Sequence, residues 1–202
     1  MIDSHGSPDL APAARALQAL LPGVTDDQLS GPTPCAGWTV GDLLDHLVGL
    51  TLAFRTAAEK GPDPAPDGPG EPSADKLDPQ WRRALPGRLD ELVAAWREPA
   101  AWTGETAVGG VRLPAEIMGV VALDELVVHG WDLARATGQP YDIDDQTLET
   151  VYRLVSQQAS SDGTPGLFGP SIARPDDAPL LDRVLGLTGR DRGWTPPVTG
   201  AR

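Results

Sequence analysis

The sequence predicts an all-α protein, a helical bundle with one long crossover loop and short extra C-terminal helices. Three observations carry this. Alanine and leucine dominate the apolar residues, and both favour helix. Leucine, alanine, valine and tryptophan recur at three- and four-residue spacing over several long segments. The 21 prolines and 23 glycines are many for a helical protein and are expected in the loops between those segments.

The first helix falls within residues 9–29, where Leu10, Ala13, Ala14, Leu17, Leu20 and Leu21 share a face. Pro8 suits its first turn, and the stop is expected at Pro22-Gly23 or after one short further turn. SGPTPCAGW then reads as a rigid turn. Thr39 is a plausible N-cap with Asp42 three residues on, a capping-box-like pattern. The second helix should run from Val40 to about Lys60. Residues 61–75, GPDPAPDGPGEPSAD, have no periodicity and read as the crossover. A third helix covers about 78–98, with Trp81, Leu85, Leu89, Leu92, Val93 and Trp96 in phase. Residues 102–113 suggest a short hairpin about Gly109-Gly110. Pro114 fits the first position of a fourth helix that ends at Gly138. A fifth helix is expected over about 144–158. A loop-rich C-terminal extension, 159–202, closes with a short helix from Leu180 to Leu187 stopped by Gly189. The chain, 1–202, is read as one domain.

The net charge of −13 disfavours binding along a nucleic-acid backbone and to anionic membranes. No stretch approaches the roughly 20 apolar residues of a membrane span. MIDSHGSPDLAP lacks a basic start and an apolar core, so no secretory signal is expected. One cysteine excludes an internal disulfide and suits a reducing cytoplasm.

Two of the three histidines lie in apolar helical stretches; the third, His5, lies in an N-terminus expected to fray. An imidazole among leucines is costly unless something uses it. Glu125 and His129 are four residues apart, one turn of helix. At about 100° per residue, His129 lies about 40° to one side of Glu125 and Asp132 about 20° to the other. This acid–imidazole–acid line borders an apolar stripe of Leu123, Leu126, Val127 and Leu133, so it should face into the bundle. His46, among Leu43, Leu44, Leu47 and Leu50, would add a third arm from the second helix. Two nitrogens and a carboxylate suit zinc, with Ni2+, Fe2+ or Mn2+ as alternatives, and three ligands leave a position open. A surface pair, or a core histidine bonded to a nearby acid, is the plainer reading of the same spacing.

PTPCAGWTVGDLLDHLVG and ELVVHGWDLARATGQP resemble the two signature segments of the DinB/YfiT-like superfamily. More narrowly, they resemble the actinobacterial mycothiol-dependent maleylpyruvate isomerase-like metal-binding proteins. FGPSIARPDDAPLLDRVLGLTGRDRGW resembles the C-terminal segment of an uncharacterised subgroup. The likeness runs from about Leu10 to Trp194. It implies a four-helix core with a divalent metal at one end, held by His46, Glu125 and His129. It also implies mycothiol as a co-substrate. The isomerases carry a further C-terminal domain that helps form the substrate site. This chain is expected to stop soon after the bundle, so maleylpyruvate itself is not the expected substrate.

Asp132 is expected to act as general base or to hold a ligand imidazole in place, with a fourth metal ligand as the alternative. Cys35 is expected to stand clear of the site unless the loop before the second helix folds back, because the path from Thr39 to His46 alone spans about 10 Å of helix axis. Trp38 and Trp131 are read as helix packing, and Arg135 as a surface ion pair or an anion contact. Asp142, Asp144 and Asp145 read as a solvated helix start. The function expected is a zinc-dependent thiol transferase or isomerase acting on a small electrophile. A metal-dependent hydrolase and a metal-containing binding protein without turnover are the alternatives. The expected partner is a small molecule, and a homodimer is compatible with the sequence.

Overall fold

The computed structural model describes residues 6–164 and 168–197; His5 lies outside them. Six α-helices and one hairpin make up the regular structure of the described residues: α1 Ala11–Leu20, α2 Val40–Ala58, α3 Trp81–Arg97, β1 Glu105–Val108, β2 Val111–Pro114, α4 Ala115–Thr137, α5 Asp145–Gln158 and α6 Leu180–Leu187. The fold is the DinB-like bundle that the signature segments imply. α1 gives way at Pro22-Gly23, as expected: the chain tightens into 3-10 turns at Leu21–Gly23 and Asp26–Gln28. Pro114 closes β2 and sits just outside α4, which ends at Gly138 in the left-handed conformation. Gly109 and Gly110 both take positive φ, as a two-residue hairpin turn requires.

Side-chain bonds between helices fix their directions. Trp96 Nε1, near the end of α3, donates to the Phe54 carbonyl near the end of α2. Arg55 of α2 pairs with Glu91 of α3. These two helices therefore run parallel. Arg97 at the end of α3 pairs with Asp9 just before α1, so α1 opposes them. Gln139, after α4, donates to the Leu20 carbonyl at the end of α1, so α4 runs with α1.

Parallel neighbours cannot be joined by a short turn. The long connection between α2 and α3 follows from this. It returns along α2 and is tied to its first turns: Ala74 N donates to Asp42 and Ser73 N to Asp45, at 2.7 and 3.0 Å. Gly41 permits the approach, since a Cβ there would lie 2.6 Å from the Ala74 side chain. The interior is leucine-rich: Leu17, Leu43, Leu44, Leu47, Leu85, Leu89, Leu92 and Leu126 are wholly buried. Each contributes on the order of 2 kcal/mol of apolar burial. No helix among the described residues is long and apolar enough to cross a membrane.

The start of α2 positions the site. Thr39 accepts from Asp42 N at 3.2 Å, and Asp42 accepts from Thr39 N at 2.8 Å, completing the capping box. Thr39→Ala should lower stability by about 1 kcal/mol. Urea unfolding followed by circular dichroism checks this; an unchanged midpoint would show that the cap contributes nothing.

Candidate metal centre

α2 and α4 pass in opposite directions, so the first half of α2 meets the second half of α4. His46 Nε2 and His129 Nε2 both approach one oxygen of Glu125, at 3.2 and 3.1 Å. The three donors lie within 4.8 Å of one another. A tetrahedral ion about 2.05 Å from each donor needs neighbouring donors about 3.3 Å apart. The spacing and the donor chemistry fit a divalent metal.

The remaining nitrogen of His129, Nδ1, lies 3.0 Å from Asp132 Oδ2. Asp132 is wholly buried. Arg190, from the turn after α6, places Nη2 3.1 Å from the same oxygen. A line of contacts therefore runs from Arg190 through Asp132 and His129 to Glu125 and His46. Burial alone would raise Glu125, but the hydrogen bonds from His129 and His46 hold it far below the usual carboxylate range. Burial would lower His129, but Asp132 and Glu125 together push it up to about 9. Burial would raise Asp132, and the charge of Arg190 with the bond from His129 holds it down.

Cys35 corrects the expectation from helix rise. Its sulfur belongs to a second group of candidate donors, with His129 and Asp132. The loop folds back instead of extending the axis. Thr33 N donates to the Trp38 carbonyl, Val40 N to the Gly31 carbonyl, and Pro32 pairs with Thr39 across the turn. This hairpin-like path returns Cys35 and Trp38 over the helix ends. The second group already has a cation, because Arg190 Nη2 stands 3.8 Å from Cys35 Sγ as well as 3.1 Å from Asp132. A guanidinium and a dication sharing one carboxylate repel each other strongly at such short range. An ion among Cys35, His129 and Asp132 is therefore disfavoured relative to one among His46, Glu125 and His129. Burial pushes the Cys35 thiol up to about 11, against the pull of Arg190.

Trp38 is more than helix packing. Its ring lies 4.9 Å from that of His46 and stacks on that of His129 at 5.7 Å, roofing both imidazoles. Trp131 is buried, as expected. Arg135 forms no ion pair among the described residues; it donates to the Trp194 carbonyl and tethers the C-terminal segment. Asp144 caps α5 through Thr147. Asp124 and Arg190 were not singled out by sequence reasoning. Asp124 is buried, one of its oxygens has no partner, and burial with the neighbouring Glu125 raises it to about 7. Its position on the helix wheel beside core residues is a signal in the sequence. Arg190 has none, since nothing local separates it from the exposed Arg192.

Three comparisons with known proteins identify the family and the fold. The family model for the mycothiol maleylpyruvate isomerase N-terminal domain matches residues 10–134. Two uncharacterised proteins of Mycobacterium tuberculosis, from strains CDC 1551 and H37Rv, are 34% identical over 193 residues, covering 88% of this chain and 93% of theirs. The crystal structure of the mycothiol-dependent maleylpyruvate isomerase aligns with a TM-score of 0.58 at 19% identity, over 96% of this chain and 92% of that one. A mutant of that isomerase aligns equally well over 90% and 87%. The chain belongs to the mycothiol maleylpyruvate isomerase N-terminal domain family. α6 and the segment that follows it pack against α5 and α4: Arg183 bonds to Tyr152, and Arg135 to the Trp194 carbonyl.

The raised His129 sets a pH dependence for the metal-free protein. A group whose folded value lies above its ordinary value of 6.5 contributes fully below 6.5, and loses that contribution as pH rises through about 9. Unfolding midpoints of metal-free protein should fall between pH 6.5 and about 9, with the fall reduced in His129→Gln. A flat or rising profile over that window would contradict the assignment of charge.

Proposed function

We propose that this chain, as a member of that family, uses one zinc ion held by His46, Glu125 and His129 to activate a mycothiol-type thiol toward a small electrophile. The reaction would be a transfer or a thiol-assisted isomerisation. One observation carries the reading: two imidazole nitrogens from antiparallel helices meet a single carboxylate oxygen at 3.2 and 3.1 Å. Bound there, the ion would supply a Lewis acid that favours the thiolate form of a coordinated thiol.

The protein's own groups have distinct parts. Glu125 brings the negative charge, and the imidazoles bring neutral nitrogens once His129 has given up its extra proton. Asp132 accepts from His129 Nδ1, which leaves Nε2 free to ligate. Its burial and its engagement by Arg190 favour this orienting part over abstraction of a proton from substrate. Trp38 covers the ring faces and keeps water from that side.

Protein purified without a metal-affinity column should contain about one zinc per chain. Mycothiol-dependent consumption of small electrophiles, unsaturated oxo acids among them, should be abolished by chelation and by His46→Ala. No stoichiometric metal, and no uptake on reconstitution, would sink the proposal; equal turnover without thiol would remove its thiol half. Asp132→Asn should fold and still take up zinc, with affinity reduced roughly 10- to 100-fold. An affinity equal to that of the unaltered protein would deny Asp132 its orienting part.

A further inference from the structure

We propose that Arg190 is a positioning residue for the metal centre, so that the C-terminal segment is a working part of a site whose donors all lie on α2 and α4. The inference rests on the metal reading above. Arg190 lies 56 residues beyond the end of the family match at residue 134.

The side chain is almost wholly buried, at 9% exposure. Nη2 reaches Asp132 Oδ2 at 3.1 Å, and Nε lies 3.5 Å from Oδ1. Nη1 donates to the Thr188 carbonyl at 2.9 Å. Its backbone is held equally firmly, with N donating to the Leu185 carbonyl at 2.8 Å as the chain leaves α6. Gly189 makes that exit in the left-handed conformation, and a Cβ on it would lie 2.9 Å from the backbone of Gly169. Behind the turn, Val184, Leu185 and Thr188 are wholly buried.

A buried guanidinium costs several kcal/mol to desolvate and is kept only with a partner. Here the partner is a carboxylate whose other contact is the imidazole of a proposed ligand. Without Arg190, Asp132 would be a carboxylate at 0% exposure with only His129 to answer its charge. It would turn toward water or draw water in, and lose its hold on Nδ1. Ring orientation at His129 is thereby set from α6, through one carboxylate.

Zinc affinity by chelator competition in a double-mutant cycle tests this. Arg190→Met, a shape-preserving neutral change, should weaken zinc roughly 10- to 100-fold, as loss of an outer partner does. In an Asp132→Asn background the same change should cost less than about threefold, because the path it acts through is gone. Removing both buried charges also avoids the unpaired carboxylate, so the double variant should fold even where Arg190→Met alone does not. Equal affinity for Arg190→Met and the unaltered protein, or an equal loss in both backgrounds, would overturn the inference. A second reading needs no metal. In metal-free protein at neutral pH, NMR should find the His129 Nδ1 proton at low field and protected from exchange, and Arg190→Met should abolish that protection. Persistence of the signal would refute the role of Arg190 even if zinc did not bind; absence of zinc from the unaltered protein would fail only the metal reading.

Discussion

The cost of burying charge governs the end of the bundle where α2 begins. Asp124, Glu125 and Asp132 lie within nine residues of one helix that is otherwise packed into a leucine core. A carboxylate there must be paired or neutralised. Glu125 is answered by two imidazoles, Asp132 by His129 and Arg190, and Asp124 by a shift toward its neutral form. In the metal-free protein the charges of Glu125, Asp132, a protonated His129 and Arg190 cancel. A dication replacing the His129 proton would leave one positive charge in excess. An ionised Asp124, or any anionic ligand on the ion, would remove it.

That electrostatic demand explains why distant segments converge. The donors come from helices brought together by the bundle's core. Their supports come from elsewhere: Trp38 from the loop before α2, Arg190 from the turn after α6. The crossover loop contributes as well, because its bonds to Asp42 and Asp45 brace the turns that precede His46. Parallel α2 and α3 make such a loop necessary, and its length lets it lie beside the site.

Much of this was legible in the chain. Helical periodicity located α2, α3 and α4 closely, the Thr39–Asp42 pattern marked the start of α2, and Gly138 marked the end of α4. The His46, Glu125 and His129 set followed from spacing and resemblance, and the fold brings their donors together. What was not legible depended on loops. Helix rise says nothing of a chain that folds back, so it does not reveal that Cys35 reaches the site. Trp38 read as packing because stacking on two imidazoles requires that same return. Arg190 is 58 residues from Asp132, and no periodicity links an arginine in a turn to a carboxylate on a helix. Asp124, beside Glu125, was visible on the wheel but lacked a partner at any helical spacing.

Two overlapping donor groups share His129, and they differ in one element: sulfur. X-ray absorption at the zinc edge of the reconstituted protein separates them without reference to activity. Two imidazole nitrogens and a carboxylate oxygen are expected at about 2.0–2.2 Å, with any further neighbour a light atom. A sulfur scatterer at about 2.3 Å in protein free of added thiol would place Cys35 on the metal. Arg190 would then have to leave Asp132, and the assignment of the centre to His46, Glu125 and His129 would be contradicted.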